Sequence, residues 1–550
     1  MKAKMKTWQD AHKLVRYSFG CSLVVLVAAC SGTATPSGFS SGDDSSGGGG
    51  GDDSSGGGGG GGGGKDGGGG VVPPASTQLQ QSVDVTQINV YQATEVVIVS
   101  GSKAASHQTP VVAGRPGLFR VFVSPHSGFS GNVTAQLRFE DGSGKALDQL
   151  SQSQSVSAAS SENDPSTTIN FDVPAADLPS GGKLSVALVD TSAADVPSGT
   201  ASTSRYPQDG SSDPTTAKDT GPLKITLVPT IVSGGYAPDT SSAQLQILHD
   251  TMFGIYPVTD VQITVHAQES APYTVAATNS SGFENVLEWG TSLRESENPP
   301  ADVYYWITFD PKSSFNSFCG GGCIAGLSTV ADVNDPSGRV STGLGYTGSD
   351  TAFTMAHEVG HAHGRDHAPG CGASGIDPSF PSSYIENSSQ VGQFGSIGVI
   401  GYDIVGKQFI DPSQTGDMMG YCPPTWVSDY TYRALATRVA TLNGAADMIG
   451  SPLKFATPQA HRFVNIDGSG NVTWGQAINM RDKPQPGDHT VTYLDAKGNV
   501  MMSVTAQLHK LDHAEGGFLI VPEGPAGFAS IKVTTNAGTV HAERTLVKNY

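Results

Sequence analysis

The sequence predicts a multidomain chain: an α+β domain, built as a twisted mixed sheet with a histidine-bearing helix, flanked by N- and C-terminal β-sandwich-like domains. Three observations predict it. At 550 residues the chain is longer than one hydrophobic core can organise. Residues 83–220 and 449–550 alternate short apolar runs with turn clusters and show no competing helical period. Between them, residues 221–448 read strand, helix, strand, and then reach His357-Glu358-Val359-Gly360-His361-Ala362-His363-Gly364-Arg365-Asp366-His367.

The chain opens with an export signal at residues 1–29. Lys2, Lys4, Lys6, Lys13 and Arg16 form a basic leader. The mostly apolar stretch at 17–29 is short for a membrane span. It ends in Val27-Ala28-Ala29-Cys30, which resembles a bacterial lipobox with Cys30 as the lipidated residue; a plain secretory signal is the competing reading. Ser31, rather than an Asp, follows the cysteine and favours the outer membrane. The expected location is therefore that of an exported bacterial lipoprotein, at the outer membrane or cell surface or released from it. Residues 31–70 are dominated by Gly, Ser and Asp and cannot bury a core, so 30–82 should form a flexible tether.

Net charge is −19, which argues against nucleic acid or an anionic membrane surface as partner. The expected partner is an extracellular protein or glycoprotein substrate, with membrane contact only through the lipid anchor and the chain a monomer.

Strands are expected at 88–90, 96–99, 118–123, 133–137 and 184–188, then a polar linker at 190–221. Residues 223–227 alternate as a strand. Asp239, Thr240 and Ser241 offer caps, and Leu245, Leu248, Met252 and Ile255 repeat at helical spacing. Residues 261–265 form a second strand, so the unit implies a right-handed parallel crossover. A helix at 286–294 and a strand at 303–309 follow. Residues 339–346 are read as the sheet-edge strand before the histidine helix, capped by Asp350 or Thr351. After an irregular stretch at 368–411, a helix is expected from Trp426 to about Leu442. In the C-terminal region, 471–474, 489–494 and 531–535 are strand candidates, and 465–470 reads as a hairpin turn rather than a calcium loop. His461, His489, His509, His513 and His541 show no ligand spacing and are assigned to surface or packing.

The central motif carries the chemistry. On a helix, His357 and His361 share a face, and Glu358 lies beside them within reach of a metal-bound water. Gly364 can adopt a left-handed backbone that turns the chain and returns His367 as a third ligand. Three protein ligands leave a position open, the mark of a catalytic zinc rather than a structural one. With 14 His and 71 Gly in the chain, such a match arises by chance in about three of a hundred thousand chains of this composition. His363 faces away from this set.

This motif resembles that of the metzincin clan of zinc endopeptidases. The resemblance covers about residues 221–445 and includes secreted bacterial, mucinase-like members. It implies one catalytic Zn2+ held by His357, His361 and His367, with Glu358 as general base. It implies a Met-turn at Met419, with Met418 as the alternative in Asp417-Met418-Met419-Gly420-Tyr421, and an oxyanion-stabilising role for Tyr421. The expected activity is hydrolysis of peptide bonds in extracellular proteins. The alternatives are a surface adhesin with a vestigial protease domain, and a zinc exopeptidase.

Four cysteines fall in this region: Cys319, Cys323, Cys371 and Cys422. In an exported protein they suggest two disulfides with three possible connectivities, of which Cys319–Cys323 with Cys371–Cys422 is favoured. The second bridge would close a loop of about 52 residues, contributing ~4 kcal/mol in the chain-entropy account, and would tie the segment after the helix to the Met-turn.

Overall fold

The computed structural model describes residues 79–189, 202–444, 454–513, 516–535, 538 and 540–545. The leader, Cys30 and the tether as far as residue 78 lie outside the described residues; the expected tether ends earlier than residue 82, because Leu79 is buried and bridges Val189 and Gln80 N donates to Leu188 O at 3.0 Å. The described chain is multidomain in layout, mostly β-sheet with few helices.

The N-terminal strands form two antiparallel sheets. One runs Lys103–Ala104, Glu95–Ser100, Val83–Tyr91, Gly117–Pro125, Ile169–Val173. The other runs Asp213–Pro214, Lys183–Val189, Gly131–Glu140, Ala146–Val156. The two sheets share one core: Val85, Phe119 and Phe171 from the first pack with Leu137, Phe139 and Leu184 from the second. The rings of Phe119 and Phe139 meet edge to face at 5.6 Å across the gap. All five expected strands in this region lie within these elements. The expected linker is corrected in part, because Arg205–Tyr206 pairs with Lys183–Val189 and extends the second sheet.

The central sheet has the order Val261–Val265, Leu223–Val232, Val303–Phe309, Val340–Leu344, Gly326–Ser328, with Glu269–Ala271 added on Leu223–Val232. Its strands are parallel except for the antiparallel pairing of Gly326–Ser328 with Val340–Leu344. Helices cover both faces, which is why these strands are apolar on both sides. On one face, Leu248 and Met252 of Ser242–Ile255 and Met355 and Val359 of Ser349–Ala362 pack on Ile225, Leu227 and Trp306. On the other, Phe283, Val286 and Leu287 of Ser281–Glu297 pack on Ile307, Phe309 and Val340.

One sequence expectation is overturned here. Val340–Leu344 is an interior strand, and the edge belongs to Gly326–Ser328. A strand of three residues beginning with Gly has no alternation for a pattern to detect.

The C-terminal strands form two four-stranded antiparallel sheets that enclose Val464, Val491, Tyr493, Leu519, Val521 and Ile531. The three expected strands there, and the turn closed by Asp467 and Asn471, are present. Phe463, Ile478, Phe518 and Ile520 also join the core under the helix Ser281–Glu297, so this part packs directly on the central sheet layer. No helix among the described residues is long and apolar enough to cross a membrane.

Arg115 ties the N-terminal sheets to the central body. Its fully buried guanidinium donates to Gln92 O at 2.8 Å, Val258 O at 2.9 Å and the Phe253 carbonyl. The last two acceptors lie at and just beyond the C-terminal end of Ser242–Ile255, where carbonyls lack intrahelical partners and a cation is favoured. Arg115→Met should destabilise the chain by roughly 3 kcal/mol, because several buried carbonyls lose a charged donor at once. Arg115→Lys should recover little, since a single ammonium cannot span the fork. Urea midpoints for the three proteins check this; equal midpoints would remove Arg115 as the tie.

Candidate metal centre

The helix Ser349–Ala362 carries His357, Glu358 and His361, all buried. Neither Asp350 nor Thr351 caps it. Gly348 is the N-cap, and its backbone N–H and carbonyl are held by the Gln244 side chain at 2.7 and 3.0 Å. Asp350 lies instead in the first turn, where a carboxylate suits the helix dipole.

Gly364 has φ 83°, which turns the chain after the helix, and its N–H donates to His361 O at 2.7 Å. The return places His367 against the helix histidines, with ring centroids 4.6 Å from His361 and 5.4 Å from His357.

Each of the three imidazoles is oriented through Nδ1 by a backbone carbonyl. His357 Nδ1 is 2.8 Å from Met418 O, His361 Nδ1 is 2.5 Å from Arg365 O, and His367 Nδ1 is 2.5 Å from Ser374 O. A carbonyl only accepts, so each Nδ1 carries the proton and each Nε2 presents a lone pair. His357 Nε2 and His361 Nε2 then face each other at 3.0 Å. Two lone pairs at that distance repel unless a cation lies between the donors, so the residues present fit a metal ion. Burial holds His357 down at about 3 and pushes His361 and His367 below the usual imidazole range, keeping all three neutral and ready to ligate.

The two methionines divide their work. Met418 orients His357 through its carbonyl, while Met419 lies under the helix at Gly360. A Cβ at Gly360 would come within 2.5 Å of Met419 Sδ, so this close approach needs glycine. Asp417 shapes the turn by accepting from Met419 N at 2.8 Å and Ser428 N at 3.0 Å. The final long helix starts at Asp429, three residues after Trp426. Cys371 pairs with Cys422, linking the segment after the histidine helix to this turn, and Cys319 pairs with Cys323. His363 is turned away: its Nδ1 meets Val359 O at 2.7 Å and its ring stacks on Tyr304 at 4.1 Å.

Tyr421 places its hydroxyl 2.9 Å from His367 Nε2 and against His513 Nδ1. Glu358 packs on the edge strand, where a Cβ at Gly326 would lie 2.5 Å from its Oε1. Its Oε2 is buried without a hydrogen bond. Burial, and then the Asp512 carboxylate, push Glu358 well above the usual carboxylate range.

Asp512 and His513 are the residues that sequence reasoning missed. The assignment of His513 to surface or packing is wrong: its Nε2 lies 3.3 Å from Glu358 Oε1 and 3.0 Å from Asp512 Oδ2. Asp512 Oδ2 is also 3.5 Å from His361 Nε2. Candidate ligand atoms of His357, His367, Asp512 and His513, and separately of Glu358, His361 and Asp512, fall within 4.8 Å of one another. Burial raises Asp512, but His513 outweighs it and holds the carboxyl ionised, while Asp512 in turn holds His513 above its usual range despite burial. An adjacent Asp-His pair some 145 residues after the motif carries no spacing signal that could have found it. His461, His489 and His509 are buried packing residues; His509 pairs with Asp335 at 2.9 Å and stacks on Phe518.

No protein-family model and no curated protein matches the chain. Among solved structures it is similar to metalloproteinase-II from Bacteroides fragilis, with 12% identity and a TM-score of 0.20 over 48% of this chain and 76% of that one. A putative beta-galactosidase from Bacteroides fragilis is similar at 11% identity and a TM-score of 0.11, over 42% and 34% of the two chains. At those TM-scores neither likeness carries weight against the geometry above.

Proposed function

We propose that the chain is an exported zinc-dependent endopeptidase of metzincin type. On this reading it is anchored through Cys30 and cleaves extracellular protein or glycoprotein substrates as a monomer. The observation that carries the reading is the set of three neutral histidines, each fixed through Nδ1 to a carbonyl: His357 and His361 bring their Nε2 atoms to 3.0 Å, and His367 packs its ring against both.

A zinc ion held by His357, His361 and His367 would supply Lewis acidity to a water and to the scissile carbonyl. Glu358 takes the proton from the attacking water and returns it to the leaving amine. Tyr421, beside His367, donates its hydroxyl to the developing oxyanion. Gly326 lets the edge strand come close against Glu358, so an extended peptide laid along that edge by strand addition passes the base.

Incubation of the purified, zinc-loaded chain with casein or mucin, as wild type and with the changes at Asp512 described below, should give internal fragments from at least one of these forms, and a chelator should stop their formation. Mass analysis of products from an internally quenched peptide separates internal cleavage from end-trimming. A metal-loaded chain that cuts neither protein nor peptide, with or without the changes at Asp512 described below, would leave the binding-protein alternative standing.

A further inference from the structure

The edge that a peptide substrate needs is already taken by this chain itself. Ser328–Val330 pairs antiparallel with Lys510–Asp512: Val330 N donates to Lys510 O at 3.0 Å, Asp512 N donates to Ser328 O at 3.2 Å, and Thr329 bridges Leu511. Ser328 N also donates to Asp512 Oδ1 at 2.9 Å, which aims the other carboxylate oxygen at the histidines. That oxygen is fully buried and makes no well-aligned hydrogen bond, although His513 and His361 lie at 3.0 and 3.5 Å. A buried carboxylate oxygen that His513 flanks on one side, and that faces the neutral His361 Nε2 on the other, is placed as a metal ligand would be.

The segment also closes the site. His513 fills the space between Glu358, Tyr421 and Asp512, and the Glu358 and His361 side chains are left only 1% and 0% exposed. No peptide bond can reach Glu358 while this segment is in place. The segment is further held by the buried His509–Asp335 pair and by Leu511 in the core under the central sheet.

We propose that Lys510–His513, from the C-terminal β region, is a built-in occupant of the catalytic cleft: it pairs as a strand with the edge where substrate would lie, offers Asp512 as a fourth ligand to the metal, and keeps the enzyme latent until the segment is withdrawn. This rests on the three-histidine metal reading. Its substrate-like part is the added strand, and its inhibitory part is the carboxylate standing where a water and the scissile carbonyl must enter.

The test uses the full chain with Asp512→Ala, and Asp512→Asn as a near-isosteric second variant. Co2+ replaces zinc, and three readouts are taken: the visible absorption of Co2+, hydrogen exchange at the Ser328 amide, and cleavage of an internally quenched peptide by the zinc form. The proposal expects both variants to retain Co2+ with a changed spectrum and to exchange Ser328 faster. It expects their peptide cleavage to rise about tenfold or more, equivalent to losing one modest ligand contact. Unchanged Co2+ spectra, or cleavage that stays level or falls while metal is retained, would overturn it; a fall would place Asp512 in the working machinery instead. A wild-type chain that takes up no Co2+ fails the metal reading itself, a different result from metal uptake without an Asp512 effect.

Discussion

Glu358→Gln should leave metal uptake intact and lower peptide hydrolysis by about 10²- to 10⁴-fold, the usual contribution of a positioned general base. The glutamine keeps the volume that packs on Gly326 and costs no extra burial, because the site already disfavours a charge at this position. The three histidines are oriented by Met418, Arg365 and Ser374 carbonyls, not by Glu358, so their geometry should survive. Metal content by mass spectrometry and turnover of a quenched peptide, measured on the same preparation, check the prediction. Full activity with bound metal would remove Glu358 from the mechanism.

Metal removal should lower stability by an amount that mass action sets. If zinc binds the folded chain and not the unfolded one, a thousandfold excess over its Kd contributes about 4 kcal/mol. The cause is local: His357 and His361 turn lone pairs toward each other at 3.0 Å, and a cation relieves what the metal-free fold must tolerate. His361→Ala should lose most of this gain. The metal-free chain should also show a pH dependence of defined sign. Burial depresses the histidines in the fold, to about 3 for His357, while unfolded imidazoles titrate near 6.5. Below about pH 6.5 the unfolded chain therefore binds protons that the fold does not, and stability falls as pH drops toward 3. Thermal melts with zinc and with chelator, at pH 7.5 and 5, test both parts. Identical melting temperatures with and without zinc would contradict the metal reading.

The sequence was most legible where a residue's role depends on near neighbours. His357 and His361 share a helix face with Glu358 beside them, as the helical repeat dictates, and Gly364 follows from the turn that only a residue tolerant of positive φ adopts readily. The strands of the N- and C-terminal regions announced themselves through apolar runs between turns. The edge strand did not, because Gly326–Ser328 is too short to alternate. The helix cap did not either, because Gln244 supplies it from more than a hundred residues away.

By itself, the sequence determined the histidine core of the candidate metal centre: donor types and spacings are local, and a helix followed by a glycine turn converts them directly into geometry. Only the tertiary structure decided who else enters that centre. Asp512 and His513 arrive through a strand pairing between segments about 180 residues apart, and backbone hydrogen bonds of that kind are made by carbonyls and amides that every residue carries, so they leave no mark on residue identity.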